Sequence, residues 1–567
     1  MWPLRALGPP VNLAESGGKN VSVTSPRRAG DGSHSDTAAE RREGRAWLTP
    51  VNIAIAVTTL LALSLRVYHL AAPGYLLGVT EYDDGSYFGS AIRLVHGELP
   101  YRDFVFVQPP GITLLMTPIA LVVKVTGSTV WGLAVGRILT TIASAAGVLL
   151  VGLIVRHRGL SATILACGLL AIYPDSVSTA RTVLLEPWLV LFCLLGALAV
   201  FDADGITGSR RRLLLGGLAL GFAGAVEALA IIPALVVLAL LLPHLRRMLT
   251  CLAGMAVGFL VPVVPFAAAA PAGFFRDLVI AQVGPRVGYA RVSIWYRLKE
   301  IFGFSNVALG HSDLLLGAVI ILGFAIGGLA CAWLVTRRPP PSLEWFALVT
   351  AILIMVSFTY PEQFYFHFVA FLAPFLAIAV ALSWSTLVET VKPLAHRART
   401  ADLLRWLPVS LAAALVFLLA FSEIYAVYQQ EHKGVAIAAA NARANMVAAI
   451  DRVARPGDCV FTDQVSYTIA ADRFVSDVPG CSLMDDGIGA DLALSHGRTP
   501  SSGAGNVPAV AAMWWAGFRH AQVVMLSGRS YIRVAWAPGL MTYFHDHFRR
   551  VAHNRAGDAL YVRTASG

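Results

Sequence analysis

The sequence has 567 residues, of which 56% are hydrophobic and only 14% are charged. This composition is too apolar for a single soluble core and is typical of a chain with repeated membrane-spanning segments. The formal net charge of +10 does not indicate nucleic-acid binding, because most arginines lie in short loops between apolar runs, where they set membrane topology.

The amino-terminal segment 1–46 is rich in Gly, Ser, Pro and Arg, and it has neither the apolar core nor the cleavage site of a signal peptide. We expect this segment to be a disordered cytoplasmic tail. Because basic residues before a first span remain in the cytoplasm, the span at 50–70 should lead to the outer side of the membrane.

Apolar runs recur along the chain as far as Tyr425, and a transmembrane helix needs about 20 mostly apolar residues. We predict eleven transmembrane helices, at 50–70, 131–155, 160–174, 187–201, 213–226, 229–243, 249–269, 313–336, 343–359, 366–385 and 407–427. In this register the arginine-rich loops are cytoplasmic, whereas 71–130 and 271–312 are external loops. The apolar segment 110–125 is interpreted as a short interfacial helix, because another span there would reverse the charge bias.

Residues 429–567 contain no comparable apolar run. The predicted fold is therefore a polytopic α-helical membrane domain, 47–428, followed by an extracytoplasmic α/β domain, 429–567. In the second domain we predict helices at 436–454 and 508–518 and strands at 458–462 and 522–526. Its tryptophans, among them Trp514, are candidates either for stacking on sugars or for the core of the domain.

The positions of the cysteines permit a disulfide in an oxidising compartment and do not indicate a metal site. Cys459 and Cys481 are the only cysteines in 429–567, and an oxidising compartment would permit a disulfide between them, with free thiols as the alternative. The other cysteines lie in apolar runs without His or Cys at ligand spacing, so they are interpreted as small buried hydrophobic residues. We find no metal-binding motif in the sequence.

The first external loop carries Glu81, Asp83 and Asp84, three carboxylates within four residues directly after a predicted span. Like charges beside a low-dielectric boundary raise one another's pKa, and a carboxylate with a pKa near neutral can accept a proton from a hydroxyl. The competing interpretation is a solvated acidic turn. Glu227, in a short external turn, has no such neighbours and is interpreted as solvated.

Two further charges lie at the outer ends of predicted spans. Glu186 precedes Pro187 at the mouth of a span, where an ionisable group is either functional or a helix-start carboxylate stabilised by the helix dipole. Arg137 lies within an apolar run, where a lone cation costs roughly 2.5 to 3.5 kcal/mol on insertion scales. Such an arginine either snorkels to the interface or binds an anion.

The external loop 271–312 carries five cations, although lysine and arginine are expected mainly in cytoplasmic loops. A phosphate carried by a membrane lipid would explain them, whereas interfacial helices would explain only the interleaved aromatic residues. The external turn at 360–367 combines an acid, a histidine and aromatic rings, with aromatic-belt anchoring as the alternative. The candidate substrate- and phosphate-binding residues are Arg102, Gln108, Arg137, Arg181, Arg286, Arg291, Tyr360, Glu362 and His367.

These motifs together resemble the GT-C glycosyltransferases, in particular the branch with protein O-mannosyltransferases and the lipid A aminoarabinose transferase. The segment Asp83-Asp84-Gly-Ser-Tyr87 is similar to the Asp-acid-x-x-Tyr motif that follows the first span in that family. Leu-Leu-Glu186-Pro is similar to its Leu-Asp-Pro element, with Glu in place of Asp. Gln108 departs from the lysine of the aminoarabinose transferase, so the basic loop 271–312 is the candidate for the donor phosphate.

The resemblance implies a sugar donor, such as mannose or arabinose, linked to a polyprenyl phosphate. The expected acceptor is a glycan, lipid or protein of the cell envelope, and the expected catalytic residues are Asp83, Asp84 and Glu186. Asp83 would deprotonate the acceptor hydroxyl, and a single displacement would invert the anomeric configuration. Some members of the family use a divalent cation, Mg or Mn, and others do not. The expected location is the inner membrane of a bacterial cell, as in actinobacterial envelope transferases.

Two other classes of function remain open at the level of the sequence. A transporter or lipid flippase would also carry charges within the membrane, but it predicts sites near the midplane and internal repeats. A structural or sensory membrane protein would carry the acids incidentally. Convergence of Asp83 and Glu186 in the folded chain would argue against the latter.

Overall fold

The computed structural model describes residues 49–203, 205–395 and 401–564, so the predicted tail 1–46 lies outside the described residues. The helices up to Glu431 are α1 (Pro50–Leu70), α2 (Asp83–Val95), α3 (Gly111–Thr126), α4 (Thr129–Val155), α5 (Leu160–Ile172), α6 (Pro174–Ser178), α7 (Glu186–Val200), α8 (Arg210–Val226), α9 (Ile231–Leu241), α10 (Leu245–Ala269), α11 (Pro271–Phe275), α12 (Ala281–Val283), α13 (Ile294–Ile301), α14 (His311–Thr336), α15 (Ser342–Ser357), α16 (Val369–Ala395) and α17 (Ala401–Glu431). A short hairpin of β1 (Phe201–Asp202) and β2 (Gly205–Ile206) follows α7.

Each of the eleven predicted spans overlaps one of these helices. Among the described residues, six helical segments are long and apolar enough to cross a membrane: Pro50–Leu70, Thr129–Arg158, Leu245–Ala269, His311–Thr336, Phe366–Thr390 and Trp406–Glu431. Most of the other predicted spans are shorter apolar helices, and so is α3 in the segment interpreted as interfacial. The chain is therefore a multi-pass membrane protein, and the number of eleven crossings stays a prediction.

The outer surface of α17 shows why these helices require a lipid environment. Phe417, Leu418 and Phe421 are each more than half exposed. A row of large apolar side chains on a helix of this length is typical of a surface that faces lipid.

Helices α8 and α10 approach each other through glycines on both sides. A Cβ atom on Gly221 would lie 2.1 Å from the carbonyl oxygen of Met255, and one on Gly254 would lie 2.3 Å from that of Leu214. Any larger residue would separate the two backbones. Close backbone approach through small residues is the packing that membrane helices favour, because apolar side chains gain little from leaving lipid.

The C-terminal part combines helices with a four-stranded sheet of order β3-β4-β6-β5. Its elements are α18 (Gly434–Val453), β3 (Val460–Thr462), α19 (Ser466–Ala470), α20 (Gly487–Leu494), α21 (Pro508–His520), β4 (Val523–Leu526), α22 (Ser530–Arg533), α23 (Pro538–His547), β5 (Phe548–His553) and β6 (Ala559–Arg563). Strands β3 and β4 are parallel and the other pairs are antiparallel. The predicted helices and strands of this part are present, and the hairpin of β5 and β6 was not predicted.

The C-terminal domain, defined here as 434–563, has its own core and a second apolar contact with α2. Trp514 is fully buried in the core, and its indole N–H donates to Asp491 Oδ1 over 2.8 Å, so it is not available for sugar stacking. Val465 and Phe474 belong to the same apolar cluster as Phe88 of α2. The C-terminal domain is thereby packed against the helix that begins with the conspicuous acids.

Candidate active site

Asp83 and Asp84 are the first two residues of α2. Successive residues of an α-helix point about 100° apart, so the two carboxylates face different surroundings. The Asp83 side chain is 36% exposed, whereas the Asp84 side chain is completely buried. Only Asp83 can therefore reach a substrate.

Asp84 forms a buried ion pair with Arg137 of α4. Arg137 Nε donates to Asp84 Oδ2 over 3.2 Å, and Thr182 Oγ1 donates to the same oxygen over 2.7 Å. The other oxygen, Oδ1, accepts a hydrogen bond of 2.8 Å from Ser466 Oγ of the C-terminal domain. Both oxygens are therefore occupied within the protein, and Asp84 anchors the first turn of α2, while its catalytic role stays a prediction.

The other donors of Arg137 hold the loop that leads into α2. Its Nη1 donates to the carbonyl oxygens of Tyr75, Leu76 and Gly78 over 2.6, 2.9 and 2.9 Å. Arg137 is fully buried, and each of its guanidinium nitrogens has an acceptor within the protein. No guanidinium nitrogen of Arg137 is left without an acceptor for a substrate phosphate, so the structure gives no support for donor binding by Arg137, which stays a prediction.

Glu186 and His367 meet beside Asp83, although 181 residues separate them in the sequence. Glu186 is the first residue of α7, and His367 lies in the 3-10 turn before α16. Glu186 Oε1 lies 2.6 Å from His367 Nδ1, and His367 Nε2 lies 3.9 Å from Asp83 Oδ2. The imidazole thus bridges a buried carboxylate and the exposed one, and the buried carboxylate fixes its orientation.

The surroundings of Asp83 raise the pKa of its carboxyl from 3.8 to about 7. Removal from water is the main cause, and His367 opposes it. The negative charges of Asp486, Glu81 and Glu186 raise the pKa further. A carboxylate with a pKa near neutral is well suited to accept a proton from a hydroxyl.

The C-terminal domain contributes a residue to this site that the sequence analysis did not select. The hydroxyl of Tyr82, next to Asp83 in the chain, donates to Asp486 Oδ1 over 3.0 Å. Asp486 also caps α20 by accepting a hydrogen bond of 2.8 Å from the Gly489 N–H. Two adjacent carboxylates, Asp485 and Asp486, before an apolar helix are the signal that could have indicated this role.

Glu227 belongs to the same surroundings, contrary to its interpretation as a solvated residue. It lies in the turn between α8 and the short 3-10 helix before α9, within electrostatic reach of Glu186 and His367. In the described part of the chain its Oε2 atom is buried without a hydrogen-bond partner. The site therefore holds more carboxylates than the sequence analysis counted.

Arg286 and Arg181 are the predicted phosphate ligands that each keep a buried donor without a hydrogen-bond partner in the described part of the chain, and the guanidinium of Arg286 is the less engaged of the two. In the described part of the chain the Arg286 Nη1 atom is buried without a hydrogen-bond partner, and its Nη2 makes one long contact of 3.4 Å with the Gln282 carbonyl oxygen. Burial lowers the pKa of the guanidinium, and the neighbouring Tyr289 and Tyr365 oppose this. Tyr365 lies within electrostatic reach of Asp83 as well, so Arg286 borders the same site.

Three other predicted ligands are engaged elsewhere. Arg181 Nη1 donates to Glu431 Oε1 over 2.7 Å and ties the end of α17 to the segment before α7. Arg102 is exposed and its Nη2 pairs with Asp103 Oδ2 over 2.7 Å. The backbone carbonyl of Gln108 accepts a hydrogen bond of 2.6 Å from the Tyr101 hydroxyl. These contacts give no support for donor binding by the three residues.

Arg291, Tyr360 and Glu362 lie at the turn that precedes the 3-10 helix of His367. Arg291 Nη2 donates to the Thr359 carbonyl oxygen over 3.3 Å, and both residues line an open cavity of about 520 Å³. Tyr360 is 88% exposed. The backbone carbonyl of Glu362 accepts from Arg297 Nη2 over 2.9 Å. The turn carries His367 to the site, and Glu362 lies within electrostatic reach of Arg286.

Cys459 and Cys481 form a disulfide. Among the described residues, no group of three or more His, Cys, Asp or Glu side chains is arranged to hold a metal ion. No ligand set for the expected Mg or Mn can therefore be named.

Solved structures with the same arrangement of helices identify the fold. The crystal structure of ArnT from Cupriavidus metallidurans bound to undecaprenyl phosphate has a TM-score of 0.57 at 15% sequence identity, covering 90% of this chain and 98% of that chain. The apo structure of the same protein has a TM-score of 0.56 at 14% identity, with the same coverage. The chain has the GT-C fold.

The GT-C fold here is accompanied by little sequence similarity. No protein-family profile and no curated protein sequence matches the chain. A lower similarity is found to the oligosaccharyltransferase of Archaeoglobus fulgidus in complex with Zn and sulfate, with a TM-score of 0.46 at 13% identity over 90% of this chain and 73% of that one.

Proposed function

We propose that this protein is a membrane glycosyltransferase that transfers a sugar from a polyprenyl-phosphate donor to an acceptor hydroxyl, with Asp83 as the general base. The observation that carries the proposal is the partly exposed Asp83 carboxylate, with its pKa near neutral, beside the Glu186–His367 pair. The GT-C fold supports it, because the similar ArnT structure holds undecaprenyl phosphate.

In the proposed reaction Asp83 accepts the proton of the acceptor hydroxyl as its oxygen attacks the anomeric carbon. The bond between that carbon and the phosphate oxygen breaks, and the configuration inverts. His367, held by Glu186, positions the Asp83 carboxylate for this step. The polyprenyl phosphate leaves as an anion and requires a cation nearby.

Arg286 is the proposed cation for the leaving phosphate. Its unpartnered Nη1 is already desolvated, so a phosphate oxygen that binds there gains a charge-assisted hydrogen bond without displacing a protein acceptor. The neutral Gln108 stands where the aminoarabinose transferase has a lysine. Arg286 would therefore take over the phosphate contact from a different loop.

The proposed setting is the inner membrane of a bacterial cell, with 1–46 in the cytoplasm and the C-terminal domain outside. The disulfide between Cys459 and Cys481 supports an oxidising compartment for that domain. The acceptor class is a cell-envelope glycan, lipid or protein, and the transferred sugar is mannose, arabinose or a similar unit. The proposal requires no divalent cation and names no ligands for one.

The site geometry does not favour a transporter or flippase. Asp83 begins a loop-borne helix, Glu186 begins α7, and His367 precedes α16. A transport site is expected near the bilayer midplane, whereas Asp83 lies in the predicted external loop 71–130. Their convergence also argues against a purely structural or sensory protein.

The function can be tested with membranes that contain the full-length protein, radiolabelled polyprenyl-phosphate mannose or arabinose, and envelope extract as the acceptor. We expect transfer above that of membranes without the protein. In the same assay Arg286→Gln should raise the donor KM about tenfold, because one charge-assisted hydrogen bond is worth about 1.5 kcal/mol or more. The kcat should fall as well if the contact between Arg286 and the phosphate strengthens as the polyprenyl phosphate leaves.

Arg102→Gln is the matched control for this measurement. It removes the same charge from another loop, but its guanidinium is exposed and paired with Asp103, so the donor KM should stay within twofold of the wild type. Absence of transfer from every polyprenyl-phosphate sugar tested would contradict the proposed function. An unchanged KM in Arg286→Gln would contradict only the phosphate contact.

The pH dependence of transfer provides a further prediction. The pKa of Asp83 is raised to about 7, so the carboxyl is protonated below that pH and cannot act as a base. We expect kcat/KM to fall about tenfold per pH unit below this limb, whereas an unperturbed aspartate would place the limb near 3.8. Asp486→Asn should shift the limb to lower pH, because it removes a negative charge that raises the pKa. A flat profile between pH 5.5 and 8.5 would exclude Asp83 as the titrating base.

A further inference from the structure

The loop that carries Arg286 is joined to the C-terminal domain by a short parallel backbone bridge. The Val287 N–H donates to the Gly497 carbonyl oxygen over 2.9 Å, and the Thr499 N–H donates to the Val287 carbonyl oxygen over 3.2 Å. Ser502 Oγ donates to that same Val287 oxygen over 3.1 Å. Both backbone groups of the residue next to Arg286 are therefore bound by one segment, 497–502.

Two glycines make this close contact possible. Gly497 has φ +97°, and a Cβ atom on it would lie 1.7 Å from the Pro285 carbonyl oxygen. Gly288 has φ +84°, and a Cβ atom on it would lie 2.5 Å from Ser502 Cβ. Glycine adopts this left-handed backbone region without steric cost, and any other residue would force the two segments apart. The pairing of the loop with 497–502 therefore depends on the absence of a side chain at Gly497 and at Gly288.

Arg286 itself has little else to hold it. Among the described residues the only hydrogen bond of its guanidinium is the long one to Gln282, and its Nη1 has no hydrogen-bond partner, while Tyr289 and Tyr365 lie within electrostatic reach. No helix or strand covers 284–293, apart from the bridge at Val287. The direction of the arginine side chain is consequently set by the backbone on either side of it, and that backbone is held by the C-terminal domain.

We propose that segment 497–502 of the C-terminal domain is a positioning element of the donor site, which holds Arg286 where it meets the phosphate of the polyprenyl donor. This inference rests on the proposed function. It makes the C-terminal domain a part of the phosphate site, although all of its contacts with the loop are made through backbone atoms and one serine. Gly497 and Ser502 act through Arg286 and do not themselves contact the donor.

The experiment measures binding of radiolabelled undecaprenyl phosphate to the purified full-length protein in nanodiscs. The variants are Gly497→Ala, Arg286→Gln and the double variant, because a double-mutant cycle reports whether two residues act through one another. We expect each single variant to bind about tenfold more weakly, the loss of roughly one charge-assisted hydrogen bond. The double variant should bind no more weakly than Arg286→Gln alone.

Gly503→Ala is the matched control. Gly503 also has a left-handed backbone, with φ +89°, but the nearest atom to its added Cβ would be Asn506 Nδ2 at 3.5 Å. It introduces the same backbone strain within the same turn without touching the loop of Arg286. We expect it to bind undecaprenyl phosphate as the wild type does.

The possible outcomes separate the two proposals. If Arg286→Gln weakens binding and Gly497→Ala does not, or if their effects multiply in the double variant, the positioning role is wrong and the phosphate contact stands. If Arg286→Gln leaves binding unchanged, both fail. Should Gly497→Ala not fold, Ser502→Ala removes a single hydrogen bond to Val287, and a two- to threefold loss that disappears in the Arg286→Gln background would support the proposal.

Discussion

Replacement of Asp83 by Asn is expected to lower kcat for sugar transfer about 10³-fold, the usual contribution of a general base. Asn keeps the size of the side chain and its place at the start of α2, but its amide cannot accept a proton. The variant should fold normally, because Asp83 lies among other carboxylates that raise its pKa, and removal of its charge relieves their repulsion. The measurement is single-turnover transfer from the labelled donor in membranes with equal amounts of protein.

Asp103→Asn is the control for this prediction. Asp103 is an exposed carboxylate of the same chain segment, paired with Arg102, and it shows no contact with the site. Its replacement should leave kcat within twofold of the wild type. Near wild-type turnover of Asp83→Asn would remove Asp83 as the base.

The second large effect is expected at the buried pair of Asp84 and Arg137. Asp84→Ala leaves the Arg137 guanidinium buried without its counter-charge, and breaking a buried pair in this way costs about 3 to 5 kcal/mol. The free energy of unfolding, measured by denaturant titration of the purified protein, should fall by that amount. Replacing Arg137 by Met in the same chain should restore only part of it, because Met removes the uncompensated charge but leaves the carbonyl oxygens of Tyr75, Leu76 and Gly78 without their donor.

The exposed pair of Arg102 and Asp103 gives the contrast. Exposed ion pairs contribute about 0 to 1 kcal/mol, so Asp103→Ala should change the free energy of unfolding little. Equal losses for Asp84→Ala and Asp103→Ala would mean that the buried pair does not anchor α2. A double variant as unstable as Asp84→Ala would point to the lost hydrogen bonds from Thr182 and Ser466 as the dominant cause.

Several features of this protein follow from the sequence alone. The eleven apolar runs coincide with helices, because a hydrophobic run of that length has few alternatives in a membrane. The acidic motif at Asp83 was selected from the sequence, and a helix-start carboxylate at Glu186 and a pairing of Cys459 with Cys481 were each one of two alternatives that it left open; the structure contains all three. The two carboxylate features are local sequence patterns. The disulfide could involve only the two cysteines that this domain contains.

The different surroundings of the neighbouring residues Asp83 and Asp84 did not follow from the sequence. Asp83 and Asp84 are equivalent in the motif, but packing buries one against Arg137 and leaves the other exposed. Arg137 was expected to meet a phosphate, and three carbonyl oxygens and a carboxylate occupy it. A helix position does not reveal which acceptors surround it, because those acceptors come from distant parts of the chain.

The acidic motif at Asp83 was selected from the sequence, and the tertiary structure decides the surroundings of each of its carboxylates. The sequence determined a membrane-embedded helical protein with carboxylates at the ends of its helices, since length, hydropathy and charge are properties of the chain itself. Only the folded chain brings His367 to Glu186 and joins segment 497–502 to the loop of Arg286. Such contacts link residues far apart in the sequence, so their geometry depends on how whole helices and domains pack.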